Sequence, residues 1–216
     1  MPSSEIVQLI AVAAIPILLA VTLHEVAHGL VARALGDRTA EMMGRLSLNP
    51  LKHVDPVGTV LVPALFLATT QMLFGWAKPV PIGVRNFQNP RRDMVLVAVA
   101  GPASNIMMAL IWALIGKVTL AVGLGGALGA FLIGMVQVGI FINVILAVFN
   151  MLPIPPLDGG RVLSGLLPPK ASSRLDALEP YGLVIVLALL FTGVLWRVVG
   201  PAVQSLGGIL QGFAGF

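Results

Sequence analysis

The sequence predicts an all-α polytopic membrane protein, and three observations support this fold class. Hydrophobic residues make up 57% of the 216 positions, and only 10% are charged, against about a quarter in a typical soluble domain. The mean hydropathy is +0.98. Five apolar stretches approach the roughly 20 residues that a helix needs to cross a bilayer. We therefore expect one transmembrane domain, residues 1–216, in the lipid bilayer of a cell membrane.

The apolar stretches predict a bundle of four to five transmembrane helices. Four of them are expected to span the membrane, at about 6–35, 94–115, 127–152 and 183–199. The remaining stretch, 57–74, is interrupted by Pro63 and forms either an additional span or a re-entrant segment. The tail after Gly200 is apolar and Gly-rich, and it is expected to be a frayed helix or to lie in the interface.

The basic residues distinguish the two alternatives for 57–74. If this stretch crosses the membrane, the 13 Lys and Arg residues divide into six and seven. If it returns to the side it came from, they divide into eleven and two. Cytoplasmic loops carry the excess of Lys and Arg. This rule favours the re-entrant form, with the N-terminus outside and loops 36–92 and 153–182 in the cytoplasm.

The first apolar stretch contains the motif "HEVAH". His24 and His28 are four residues apart, so on a helix both imidazoles lie on one face and can bind one ion. With Glu25 between them, they form the H-E-x-x-H arrangement of zinc hydrolases. The alternative is that both histidines only pack or pair helices. Two of the three histidines in the chain lie in this motif, and ionisable residues inside a membrane helix are costly, so a metal site is favoured.

A zinc hydrolase site needs a third protein ligand and an open position for water. The chain has no Cys, so His53 and the acidic or amide residues are the candidates. Asp158 is favoured because the prolines of "MLPIPPLDGG" stop the preceding helix and unwind the chain at membrane depth. Its alternative role is that of a turn former before two glycines. His53 is expected to be a loop residue. We expect Glu25 to accept a proton from water during catalysis.

"HEVAH" together with "NMLPIPPLDGG" resembles the site-2 protease family of zinc intramembrane metalloproteases. The segments "GWAKPVPI" and "NPRRDMVLVAVAGPASN" resemble its small prokaryotic branch, which has no PDZ or CBS domain. The resemblance implies that His24, His28 and Asp158 bind one Zn²⁺ per chain, with Glu25 as the catalytic base. It also implies that the substrates are transmembrane proteins and that the active site faces the cytoplasm. No pattern suited to nucleic acid is present, so no nucleic-acid partner is expected.

The resemblance also points to two asparagines. Asn150, in the F-N-x-x-P context, would hold substrate or the backbone of the site through hydrogen bonds. Asn105 of "GPASN" matches a family position on a neighbouring core helix. Because Asn within a membrane helix can also pair helices, Asn105 has pairing as the favoured alternative to a role in substrate binding.

A last candidate for substrate contact is "GRLSLNP", residues 44–50. Its alternation of polar and apolar residues predicts a short membrane-associated β-hairpin, to whose edge an unwound substrate could add as a strand. Leu46, Ser47 and Leu48 would then contact substrate. The alternative is a simple surface loop, since Gly, Asn and Pro are common in loops.

Two other functions remain open at this stage. A membrane metal-ion carrier would use the same ligands along a permeation path, but it gives Glu25 no clear role. A catalytically silent membrane adaptor of the same fold would not need the intact motif.

Overall fold

The computed structural model describes residues 3–70 and 75–216. It is a bundle of helices, with short elements in the loops. The α-helices are α1 Ser3–Ala34, α2 Thr39–Met42, α3 Val62–Thr70, α4 Pro90–Ala121, α5 Gly126–Asn150, α6 Asp158–Leu166, α7 Pro169–Asp176, α8 Gly182–Phe191 and α9 Val194–Ala214. Single 3₁₀ turns lie at Pro50–Lys52, Val84–Asn86 and Glu179–Tyr181, and Pro56–Leu61 forms a π-helix. The described residues contain no strand, so of the two alternatives for 44–50 the loop is the one observed.

Within the described residues, three helices are long and apolar enough to cross a membrane: α1 from Val7, α4 and α5. The helices on either side of Gly193 are bent by 79° and pass the same test only as a pair. An all-α polytopic membrane protein, as expected from the composition, is therefore confirmed.

The core of the bundle lies where α4, α5 and α9 meet. Trp112 of α4 packs with Val136, Ile140 and Val144 of α5. Gly139 allows this close approach, because a Cβ there would lie 2.4 Å from the Trp112 ring.

The last part of the chain differs from the expected single span at 183–199. Gly193 has a left-handed backbone conformation (φ 72°) that ends α8, a conformation that glycine adopts without strain. The tail from Gly200, which was expected to be a frayed helix or to lie in the interface, is instead part of the continuous helix α9. The inner face of α9 is buried in the core and consists of Leu195, Val199, Val203, Leu210 and Ala214. A regular helix was not predicted here because the tail contains many glycines, which have a low helix propensity.

The end of α9 meets the end of α4. The Lys117 ammonium group lies 4.4 Å from the centre of the Phe213 ring, and a Cβ on Gly116 would lie 3.1 Å from the Phe216 ring. Arg197 is sixteen residues before Phe213, which is about 24 Å along a helix. Lys117 and Arg197 therefore lie toward opposite ends of the bundle, whereas the topology expected from the sequence put them on one side.

The apolar stretch 57–74 has ends that adjoin each other. The Asp55 carboxylate caps its first turn by accepting hydrogen bonds from the amides of Val57 and Gly58, at 3.0 and 2.7 Å. On the other side of the stretch, the Trp76 amide donates to the Gly58 carbonyl at 3.0 Å. In a further bond, the Lys78 amide donates to the His53 carbonyl at 2.9 Å. The chain thus leaves and re-enters the bundle at one place.

Candidate metal and catalytic site

His24, His28 and Asp158 converge although more than a hundred residues separate them. The Asp158 Oδ2 atom is 3.2 Å from His24 Nε2 and 3.4 Å from His28 Nε2, and the two Nε2 atoms are 3.1 Å apart. All three side chains are buried. These are the residues whose ligand atoms cluster closely enough to hold a metal ion in the described part of the chain.

The spacing of these atoms fits a zinc ion. Zn–N and Zn–O bonds of about 2.0 to 2.2 Å in a tetrahedral site place ligand atoms about 3.3 to 3.5 Å apart, and the observed separations are within a few tenths of an ångström of this. The buried Asp158 Oδ2 atom receives no hydrogen bond from the described residues. Two imidazoles and a carboxylate are a ligand set of catalytic zinc sites, in which the fourth position is open.

Each histidine is oriented by a hydrogen bond from its other ring nitrogen. His24 Nδ1 donates to Asn105 Oδ1 at 2.5 Å, and His28 Nδ1 donates to the Val97 carbonyl at 2.7 Å. Both partners lie on α4. With the protons on Nδ1, both Nε2 lone pairs face Asp158, as metal binding requires.

Asn105 itself is fixed by a network between helices. Its Nδ2 donates to Asn143 Oδ1 on α5 at 2.9 Å and to the Ala20 carbonyl on α1 at 3.2 Å, which leaves Oδ1 for His24. The side chain is 0% exposed, and its hydrogen bonds join α1, α4 and α5, so in this conformation Asn105 pairs helices, the alternative favoured from the sequence. No site role was predicted for Asn143, which is one of three amide side chains in the otherwise apolar helix α5.

Gly101 allows α4 to pass directly beneath the two imidazoles. A Cβ at this position would lie 2.4 Å from His28 Nε2 and 2.7 Å from His24 Cε1, closer than any real contact. The "GPASN" segment thus combines a gap for the rings with the amide that orients one of them, four residues further along the helix.

Asp158 is presented by a tight turn after α5. The helix ends at Asn150 and α6 begins at Asp158, so the chain unwinds where the prolines predicted. A Cβ on Gly159 would lie 2.3 Å from the Met151 carbonyl, and one on Gly160 would lie 2.6 Å from the Pro155 nitrogen. The two glycines therefore let the turn fold against its own backbone and bring the aspartate to the histidines.

Glu25 is half-buried, and its carboxylate has a partner that the sequence did not reveal. Its Oε2 accepts a hydrogen bond from the Val80 amide at 2.8 Å. Val80 and its neighbouring prolines line a cavity of about 620 Å³, which is also lined by Pro155, Pro156 and Gly160 from the turn that carries Asp158. Only a backbone amide makes this contact, so no residue type in the sequence signals it.

The other predicted site residues lie around this centre without joining it. Asn150 donates to the Leu146 carbonyl of its own helix at 2.9 Å, and in the described part of the chain no hydrogen bond or ion pair links it to His24, His28 or Asp158. In the loop, Leu46 packs on α1, where a Cβ on Gly29 would lie 2.3 Å from its Cδ2 atom. The side chain of Leu48 is 68% exposed.

His53 holds the same loop together and is far more buried than a surface loop residue, at 2% exposure. Its Nε2 donates to the Ser47 carbonyl at 2.9 Å, and the Ser47 hydroxyl accepts from the Asn49 amide at 3.2 Å. The polar atoms of Ser47 thus serve the fold of the loop.

Sequence comparisons agree with this geometry. The family model described as "Peptidase family M50" matches residues 113–192, a region that contains Asp158 but not the two histidines. The "Putative zinc metalloprotease YwhC" of Bacillus subtilis is 39% identical over 199 residues, which cover 89% of this chain and 87% of the relative. No solved structure matches the chain.

Two mycobacterial relatives extend the agreement. The "Putative zinc metalloprotease Rip2" of Mycolicibacterium smegmatis is 34% identical over 188 residues, covering 83% of this chain and 66% of the relative. The protein of the same name from Mycobacterium tuberculosis is 30% identical over 173 residues, covering 80% and 63%.

An apolar helical bundle that buries a His-His-Asp group beside a glutamate defines a membrane metalloprotease. The chain belongs to peptidase family M50, the site-2 protease family, and it is a hydrolase. The resemblance found in the motifs is thereby confirmed.

Proposed function

We propose that the protein is a zinc-dependent intramembrane endopeptidase that hydrolyses peptide bonds in or near transmembrane segments of membrane-protein substrates. His24, His28 and Asp158 hold one Zn²⁺ per chain. The observation that carries the proposal is the convergence of these three ligand atoms within 3.4 Å of one another, inside a bundle whose outer surface is apolar.

The catalytic chemistry is divided between the metal and Glu25. When bound, zinc supplies a Lewis acid that polarises the peptide carbonyl and acidifies water. Glu25, one residue from His24, accepts a proton from the attacking water and delivers it to the leaving amine. The Val80 amide restricts the rotation of the Glu25 carboxylate. Asn105 and the Val97 carbonyl keep the imidazoles in the tautomer that binds metal.

The substrate reaches this centre in an unwound form. A transmembrane helix hides its peptide groups in hydrogen bonds of its own, so its cleavage requires local unwinding. The cavity between Val80 and Gly160 has room for an extended segment. Loop 44–50 lies beside the motif helix through the contact of Leu46 with Gly29, which supports a role for the loop in binding the unwound chain.

The topology that we propose puts the N-terminus outside and the active site on the cytoplasmic side. The adjoining ends of 57–74 support a re-entrant segment. With Arg197 at the other end of α9 from the Lys117 contact, the basic residues divide into twelve and one rather than eleven and two, which strengthens the bias. Cysteine labelling from each face of the membrane measures this topology directly, because the chain has no native Cys.

One comparison tests the proposed function. The purified wild type and Glu25→Gln are assayed for cleavage of a labelled transmembrane peptide in proteoliposomes, and their zinc content is measured. We expect Glu25→Gln to lose at least about 100-fold in kcat, the scale of general acid–base catalysis, with its zinc retained.

Each other outcome points to a different function. Cleavage by Glu25→Gln at the wild-type rate would refute the role of Glu25. Zinc transport without cleavage by the wild type would identify a carrier, and neither activity would identify an adaptor.

A further inference from the structure

The segment Lys78–Gly83, here called the proline segment, holds Glu25 through one backbone amide. Val80 is the residue whose N–H reaches the carboxylate, and it lies between Pro79 and Pro81. Proline has no N–H and a fixed φ angle, and it restricts the residue before it. The segment is therefore stiff, and the position of the Val80 amide depends on how the two ends of the segment are held.

Arg45 holds the first end. Its Nη2 donates to the carbonyls of Lys78 and Pro79, at 2.8 and 3.3 Å. The side chain is only 9% exposed, and within the described residues it forms no ion pair with a carboxylate. A buried cation without a counter-charge is costly, so the arginine is stabilised there mainly by the backbone carbonyls of the proline segment.

Asp37 holds the second end. Its Oδ2 accepts from the Gly83 amide at 2.6 Å, and its Oδ1 accepts from Asn86 Nδ2 at 2.7 Å. Oδ1 also accepts from the amide and the hydroxyl of Thr39, at 3.0 and 2.5 Å. Burial alone would raise the pKa of Asp37, but the bonds from Thr39, Asn86 and Gly83 lower it below its ordinary value, so a charged carboxylate anchors the segment to the end of α1.

We propose that Arg45 and Asp37 are positioning residues that fix the proline segment from its two ends and thereby keep the Val80 amide on the Glu25 carboxylate. The proposal rests on the proposed role of Glu25 as the base. Neither residue reaches the metal-binding group, so both act on the rate through Glu25 and leave the metal in place.

The test compares Arg45→Gln and Asp37→Asn with a matched control, Lys52→Gln. Lys52 also donates from a basic side chain to a loop carbonyl, that of Gly44 at 2.9 Å, but it does not touch the proline segment. Asp37→Asn keeps the shape of the side chain and can turn an amide NH₂ toward the Gly83 N–H. Cleavage of the labelled transmembrane peptide in proteoliposomes gives kcat and KM, and zinc content is measured on the same samples.

We expect both variants to lose about 3- to 10-fold in kcat, because each acts only through the bond from the Val80 amide, and removal of one hydrogen bond to a half-buried carboxylate sets the upper limit. KM should stay within about twofold, and zinc content should equal that of the wild type. Arg45→Lys, which keeps one donor, should recover part of the lost kcat. Lys52→Gln should cleave like the wild type.

Several results would overturn the proposal. Wild-type kcat in Arg45→Gln and Asp37→Asn would do so, as would a loss of zinc in step with activity, because the residues would then support the whole fold. A fall in Lys52→Gln equal to that in Arg45→Gln would show a general effect of the loop. Glu25→Gln separates the two proposals: if it is inactive with zinc bound while both variants are active, only the positioning role is refuted.

Discussion

The proposed metal-binding group, His24, His28 and Asp158, and the proposed catalytic carboxylate of Glu25 are held by different kinds of structure. His24 and His28 are oriented by groups on α4, within a buried helix interface. Glu25, on the next position of the same helix, accepts a hydrogen bond from an irregular segment that precedes α4. The comparison teaches that a metal and a base can have independent supports even when their residues are neighbours in sequence, so each can be disturbed alone.

The largest effect that sharpens this comparison is expected at Asn105. Asn105→Ala removes the acceptor of His24 Nδ1 and leaves Asn143 without its donor. Loss of such a group costs about 10- to 100-fold in metal affinity or activity. We expect a weaker affinity for zinc, measured by competition with a chelator, and a kcat close to the wild type once zinc is saturating.

Asn105→Asp is the control for this prediction, because it keeps the acceptor for His24 Nδ1. An unchanged zinc affinity in Asn105→Ala would mean that helix packing alone orients His24, and the contrast between the two supports would disappear.

A smaller effect is expected at Val80, where kcat should fall and zinc affinity should not change. Val80→Pro removes the N–H that Glu25 accepts, whereas Val80→Ala keeps it and removes only side-chain packing. We expect Val80→Pro to lose about tenfold in kcat relative to Val80→Ala, with equal zinc affinity. One hydrogen bond to a charged group contributes about 1.5 to 3 kcal/mol, and the lower value, about tenfold in rate, suits the half-buried Glu25 carboxylate. Equal kcat in the two variants would show that the amide does not support the base.

The smallest effect is expected at the loop that packs on α1. Leu48 is exposed, and Leu48→Pro removes a backbone N–H that an unwound substrate could use, whereas Leu48→Ala keeps it. If loop 44–50 pairs with substrate, Leu48→Pro should raise KM by about fivefold, the cost of one neutral hydrogen bond, and leave zinc affinity unchanged. A KM equal to that of Leu48→Ala would assign the loop a purely structural role.

The sequence alone predicted which three side chains converge, because two histidines and an aspartate are residue types that a pattern displays. Two histidines at helical spacing and an aspartate after a proline break left few alternatives in a chain without cysteine. The resemblance to site-2 proteases then pointed to Asn105, whose hydrogen bond with His24 no sequence pattern displays.

The support of Glu25 could not be predicted in the same way. The Val80 contact uses a backbone amide, which every residue except proline has. Arg45 and Asp37 looked like ordinary loop charges, since their burial arises only when distant loops pack together. The path of α9 was missed for another reason: its glycines lower local helix propensity, and packing against α4 and α5 overrides this.

The adjoining ends of 57–74 have a consequence for the shape of the molecule in its bilayer. With the topology proposed above, the helical part from Pro56 to Thr70 is about 22 Å long at most, shorter than a hydrocarbon core of about 30 Å. Its volume therefore displaces mainly the lipid tails of the cytoplasmic leaflet. In this topology the stretch adds to the cross-section of the protein in the cytoplasmic leaflet and not in the outer one.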